Sequence, residues 1–155
     1  MSVSLTGSDI IQIGSTGGSL RTLADLADGD TGVLDFGNNL VEGKVGKNGN
    51  TIYSFNSTGK QATLTLRVVR GSADDKYFNA EMNLYLRDRA AYPLLTGEFV
   101  KRAGDGLGNV TADVYAMNGG IIQKMPNVKE NVEGDTEASI TEWVIFFANV
   151  DRSLT

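Results

Sequence analysis

At 155 residues, with 41% apolar and 21% charged side chains, the chain has the composition of a folded globular protein, and its length suits a single domain. The absence of Cys and His removes thiol nucleophiles, disulfides, imidazole bases and the usual transition-metal ligands, so neither catalysis nor a cofactor is expected. Fourteen bases against 19 acids give a formal charge of -5, which opposes tight binding to a phosphate backbone.

The N-terminus shows no basic leader, and no apolar run approaches the roughly 18 residues of a membrane span, so a cytosolic product without a membrane anchor is expected. Dense turn signals then separate short segments of period-two alternation, the pattern of a mostly β domain. Ser8 to Ile13 is the first candidate strand. Leu20, Leu23, Ala24 and Ala27 lie at helical spacing, but so short a stretch beside glycines suits only a helical turn or an irregular lead-in. A turn at Asp28-Gly29-Asp30 delivers the chain into Thr31 to Phe36, where Val33 faces away from Leu34 and Phe36.

Leu40 to Lys60 is the least regular stretch, running from Glu42-Gly43-Lys44-Val45-Gly46-Lys47 through Thr51-Ile52-Tyr53-Ser54-Phe55 to Gly59-Lys60. A structureless connection longer than about 12 to 15 residues is uncommon in a compact domain and often functional, which favours a protruding hairpin or interaction loop here. Ile52, Tyr53 and Phe55 would be poorly placed in water, so they are candidate anchors for a partner, with Lys44 and Lys47 supplying charge. Residues 41–70 hold five bases and one acid, whereas 1–40 carry a net -4 and 103–155 a net -5. If this basic region of one copy meets an acidic face of another, the contact is heterologous, and its repetition makes rings or filaments.

Gln61 to Arg70 alternates cleanly, with Ala62, Leu64, Leu66 and Val68 on one side, as in a half-buried strand. Ser72-Ala73-Asp74-Asp75 resembles a capping box and sets two carboxylates at the positive end of a helix dipole. Phe78, Met82, Tyr85 and Leu86 then form an apolar helix face, and Pro93 marks the end. Thr96 to Arg102, the turn Gly104-Asp105-Gly106-Leu107-Gly108 and Asn109 to Met117 read as a hairpin. A second break at Asn118-Gly119-Gly120 precedes Ile121 to Met125, and an acidic loop follows through Glu130, Glu133 and Asp135. Ala138 to Val150 is a long closing strand with Ile140, Val144 and Phe146 opposite Trp143, Ile145 and Phe147, apolar enough on both faces to be central.

The motifs that could carry chemistry are incomplete. Gly104 to Gly108 lacks the third glycine of a dinucleotide fingerprint at the required spacing and leads into a strand; Gly14-Ser15-Thr16-Gly17-Gly18 is followed by no Gly-Lys-Ser/Thr. Asp28-Gly29-Asp30 has no ligand at Gly32 and no Glu at Asn39, so it is not a Ca²⁺ loop. Asp74 with Asp75, or Glu130 with Glu133, could pair as acid and base, but capping and solvation account for them.

Taken together, Leu26-Ala27-Asp28-Gly29-Asp30, Gly46-Lys47-Asn48-Gly49-Asn50-Thr51, Gly59 to Val68, Gly71-Ser72-Ala73-Asp74-Asp75-Lys76 and Glu130 to Asp135 resemble bacteriophage tail tube proteins, in order and spacing over about 110 residues. The resemblance implies a β-sandwich or barrel-like subunit with one flanking helix, in which strands of neighbouring copies join a continuous β-barrel. Six-fold rings would stack into a hollow tube in the virion tail, that of a contractile-tailed phage, and conduct DNA into the host cell. The partners implied are other copies, a tape-measure protein inside, a sheath outside, and baseplate and tail terminator proteins at the ends. An acidic lumen would let DNA slide without adhering, with Glu98, Asp113 and Glu142 as the lining candidates and Lys44, Lys47, Ile52, Tyr53 and Phe55 as the contact between copies or rings. The alternative is a β-sandwich carbohydrate- or receptor-binding module that stacks ligands on Tyr53, Tyr115 or Trp143. A hydrolase using carboxylates alone finds no paired-acid motif to support it.

Overall fold

The computed structural model describes residues 5–6, 9–27, 32–128 and 139–155. Among them the elements follow as β1 (Leu5–Thr6), β2 (Ile10–Ser15), β3 (Arg21–Thr22), β4 (Gly32–Asp35), β5 (Val41–Val45), β6 (Thr51–Phe55), β7 (Ala62–Val69), α1 (Ala73–Arg87), β8 (Leu95–Gly104), β9 (Val110–Lys124) and β10 (Ile140–Leu154). This is the expected mostly β fold with one helix. The main sheet is antiparallel in the order β3-β2-β8-β9-β10-β7-β4, with β1 also on β8, while β5 and β6 pair only with each other.

Alternation places one face of each central strand in the core. Ala62, Leu64, Leu66 and Val68 of β7 are buried, and β10 sets Trp143, Ile145 and Phe147 directly opposite Leu66, Leu64 and Ala62. As expected, β10 is central, held by β7 on one side and β9 on the other. The sheet curls until its ends meet over this core. Gly32 on β4 sits so close to β2 and β8 that a Cβ there would lie 2.6 Å from Ile11 Cδ1 and 3.4 Å from Phe99 Cε2. Residues 21–27 link the two ends: Leu23 N donates to Ile11 O of β2, and Ala27 N donates to Arg67 O of β7, both at 2.9 Å. The stretch at Leu20 to Ala27 is therefore the irregular lead-in rather than a helical turn, with only Arg21–Thr22 and a bridge at Leu26 in strand pairing, because its backbone groups find better partners in flanking strands than in one helical turn.

The helix packs on the sheet through Phe78, which joins the core beside Trp143. Ser72 caps it by accepting from Asp75 N at 3.3 Å, and Asp75 in turn accepts from Gly71 N at 2.8 Å, so the expected capping box is formed one residue wider than usual. Asp74 is fully buried and accepts from Arg21 Nε, Ala24 N and Asp25 N at 2.8–2.9 Å, which stitches the helix start to the 21–27 link. Trp143 Nε1 donates to Asp75 Oδ1 at 2.9 Å while its ring meets Phe78 at 5.9 Å. Trp143 is thus a core residue, 1% exposed, and is removed from the candidate stacking platforms.

The end of the helix and the run of β9 differ from the sequence reading. The helix stops at Arg87, six residues before Pro93, because Asp88 turns the chain by accepting from Ala91 N, and Tyr92 then packs on Tyr85 and donates to Glu81. Burial, then the Glu81 carboxylate, raise the Tyr92 phenol above its ordinary value. Leu86 lies off the buried face and is 50% exposed. Asn118-Gly119-Gly120 does not interrupt the sheet: β9 runs through it, with Gly119 at φ +68 where the pairing with β8 shifts register. There the burial of β10 also changes phase, from Phe147 to Val150, so the glycines make a bend in a continuous strand rather than a turn. The turn at Asp28-Gly29-Asp30 and the acidic loop with Glu130, Glu133 and Asp135 lie outside the described residues.

Candidate assembly surface

The β5–β6 hairpin is built by local chemistry and then left without a core. Gly46 N donates to Asn50 O at 2.6 Å across a turn in which Gly49 has φ +80, a conformation that suits glycine. At the base, Asn56 N donates to Leu40 O at 2.9 Å, and the Asn56 side chain accepts from Thr58 N and Oγ1. Gly59 passes so close to the incoming chain that a Cβ would stand 2.7 Å from Leu40 Cα. Both ends of the hairpin are therefore clamped, and its two strands project as an arm.

Residues directly opposite each other share a face of such a ribbon. Val41 pairs with Phe55, Gly43 with Tyr53 and Val45 with Thr51, whereas Glu42 pairs with Ser54 and Lys44 with Ile52. One face is therefore apolar (Val41, Val45, Tyr53, Phe55) and the other mixed (Glu42, Lys44, Ile52, Ser54). Tyr53 is 74% and Phe55 73% exposed, so the apolar face touches little of its own chain. The structure brings Tyr53 and Phe55 together and sends Ile52 to the far face with Lys44; Lys47 stands in the exposed turn. Alternation within Thr51 to Phe55 carries that division, but the partners Val41 and Val45 follow only from the register.

Beside the arm's base lies a hollow of about 370 Å³ lined by Phe36, Leu40, Tyr115, Val150 and Arg152. Phe36 and Tyr115 stand 6.3 Å apart at their ring centroids, and the Arg152 guanidinium lies 5.7 Å from the Tyr115 ring. Arg152 is held by a two-bond ion pair to Asp113 at 2.8 and 3.0 Å. That hydrogen bonding keeps the Asp113 carboxyl below the ordinary aspartate value, and the bond from Lys60 does the same for Asp151. The sequence reading missed this hollow, since its lining comes from β9, β10 and the segment after β4.

The three acids proposed for a channel are not gathered in one place. Glu98 is half-buried in a row with Gln12, Ala116 and Asp151, on one face of β2, β8, β9 and β10. Asp113 is engaged by Arg152, and exposed Glu142 faces Arg67 on β7. Asp151 is nine residues along β10 from Glu142, so at about 3.3 Å per residue the row of Glu98 lies roughly 30 Å from it. Asp151, two strands from Glu98 in this row with Ala116 between them, was visible in sequence only as an acid near the C-terminus.

Among the described residues no cluster of His, Cys, Asp or Glu could hold a metal ion, and no helix is long and apolar enough to cross a membrane. No protein-family model and no curated protein matches the sequence. Among solved structures, the chain is similar to one in the cryo-EM structure of the anti-feeding prophage baseplate, determined with six-fold symmetry. The match spans 94% of this chain and 91% of that one, with a TM-score of 0.52 and 10% sequence identity. What is shared at that identity is the fold.

Proposed function

We propose that the chain is a structural subunit of a phage-like tail or contractile injection apparatus, and that its copies assemble into six-fold rings that stack as a hollow tube. The observation that carries the reading is the arm: a clamped hairpin in a sheet of its own, with an apolar face of four exposed residues. Isolated two-stranded hairpins are marginal in water, and such a face needs covering. Support comes from the fold shared nearly end to end with a chain of a six-fold baseplate assembly, and from the resemblance of the sequence motifs to tail tube proteins.

In this reading the arm joins copies or rings, and free sheet edges pair between neighbours. β10 pairs with β7 only as far as Phe147, and beyond it one bond, from Val150 N to Lys60 O, occupies that side, so Arg152 and Leu154 present an edge for a neighbour's strand. The tube would enclose a tape-measure protein, carry a sheath, and end on baseplate and terminator proteins, and DNA would pass through it into the host. Glu98 and Glu142 are the lining candidates best kept for the channel, as Asp113 is neutralised by Arg152. Negative-stain electron microscopy of the purified protein over a range of concentration tests the assembly: six-fold rings or hollow tubes are expected, and monodisperse protomers at every concentration, with or without a baseplate nucleus, would overturn it. In assembled particles, Glu98→Lys with Glu142→Lys should leave rings intact and slow DNA exit; unchanged exit would remove the lumen assignment.

A further inference from the structure

We infer that the hollow lined by Phe36, Leu40, Tyr115 and Val150 is the receptor for the apolar face of the arm of a second copy, with Tyr53 or Phe55 as the inserted side chain. The inference rests on the reading of the chain as a self-assembling subunit and goes beyond it by naming both contacting surfaces.

Three observations carry it. The first is chemical fit. The hollow offers two aromatic rings and a guanidinium fixed over one of them, a lining that favours an aromatic guest through ring-edge and cation–π contacts. Its 370 Å³ are unfilled by the described residues, while Tyr53 and Phe55 are 74% and 73% exposed. The second is that the arm does not serve its own hollow: Leu40 and Gly59, at the arm's base, line the hollow, and none of residues 41–55 does. The third is charge. The charged side chains that line the hollow, Lys60 and Arg152, are each ion-paired, with Asp151 and Asp113, so an apolar guest buries no lone cation there.

Arm and hollow are different surfaces, so the contact is heterologous and can be repeated from copy to copy. It also divides the arm by face. Val41, Val45, Tyr53 and Phe55 enter the contact, and Lys44 and Ile52 stay outside the hollow.

The absence of native cysteine allows a direct test, because every disulfide formed is an engineered one. Tyr53→Cys and Phe36→Cys, made in separate chains distinguishable by size, are mixed under mild oxidation and compared with Lys44→Cys mixed with Phe36→Cys. All three positions are exposed, and circular dichroism checks that each variant folds. The expected result is a mixed disulfide for Tyr53→Cys at roughly tenfold the yield for Lys44→Cys, since a bridge needs Cα atoms within about 7 Å. Rings or tubes that form without that bridge, or equal yields from both faces, would overturn the docking while leaving the subunit role standing. Absence of the bridge together with absence of assembly by the unsubstituted chain would overturn the two together.

Discussion

The ladders β5–β6 and β7–β10 follow the same two-residue alternation and differ in what covers them. In β7–β10 one face meets Ile13, Phe78, Leu95 and Met117 in a shared core, and Leu64, Leu66, Trp143 and Ile145 are buried. In β5–β6 the apolar face is just as regular, yet Val41, Val45, Tyr53 and Phe55 all remain exposed. Alternation thus says which residues point the same way and leaves open which body covers them. For β7–β10 the cover is the protomer; for β5–β6 we attribute it to another copy.

The contrast is broken most strongly from the covered side. Trp143→Ala removes a buried indole and its bond to Asp75, and should cost about 3–5 kcal/mol of protomer stability in a denaturant titration. A cost near zero would mean that the core is not organised round β10. Asp74→Ala leaves Ala24 N, Asp25 N and the Arg21 guanidinium without their acceptor, and a loss of about 3 kcal/mol is expected in the same titration.

Tyr53→Ser with Phe55→Ser tests the uncovered side. Protomer stability should stay within about 0.5 kcal/mol of the parent, because both side chains are exposed, while assembly measured by sedimentation should be lost. A large loss of protomer stability would place these rings in the protomer's own packing. The smallest effect concerns pH. The Asp113 carboxyl is lowered in the folded state by its bond to Arg152, so the pair adds stability at pH above the ordinary aspartate value. That contribution fades as pH falls through the lowered folded value. Asp113→Asn should make acid unfolding slightly less steep in that window, and an unchanged acid limb would show that this exposed pair contributes nothing.

How far the fold could be read depended on where each residue's partner lies. β7, the capped start of α1, the turn through Asp105 and the two faces of β10 were legible, since neighbours within a few residues decide them. The end of α1 was placed too late because Pro93 outweighed Asp88, whose side chain turns the chain earlier. Gly119-Gly120 read as a break because a glycine pair signals a turn, whereas here it bends a strand already held by β8 and β10. Of the assembly surface, the aromatics of the arm were legible in composition alone. The register that separates Ile52 from Tyr53, and the hollow that joins Phe36 to Tyr115 and Val150, arise from pairings between distant segments.

Hydrogen exchange across a concentration series, from dilute protomer to assembled material, tests most directly whether the arm is an element completed between copies. The account predicts that amides of residues 41–55 exchange quickly when dilute and become protected on assembly, while those of α1, β7 and β10 keep the same protection throughout. Assembled particles whose arm amides exchange as fast as in the dilute protomer would contradict it.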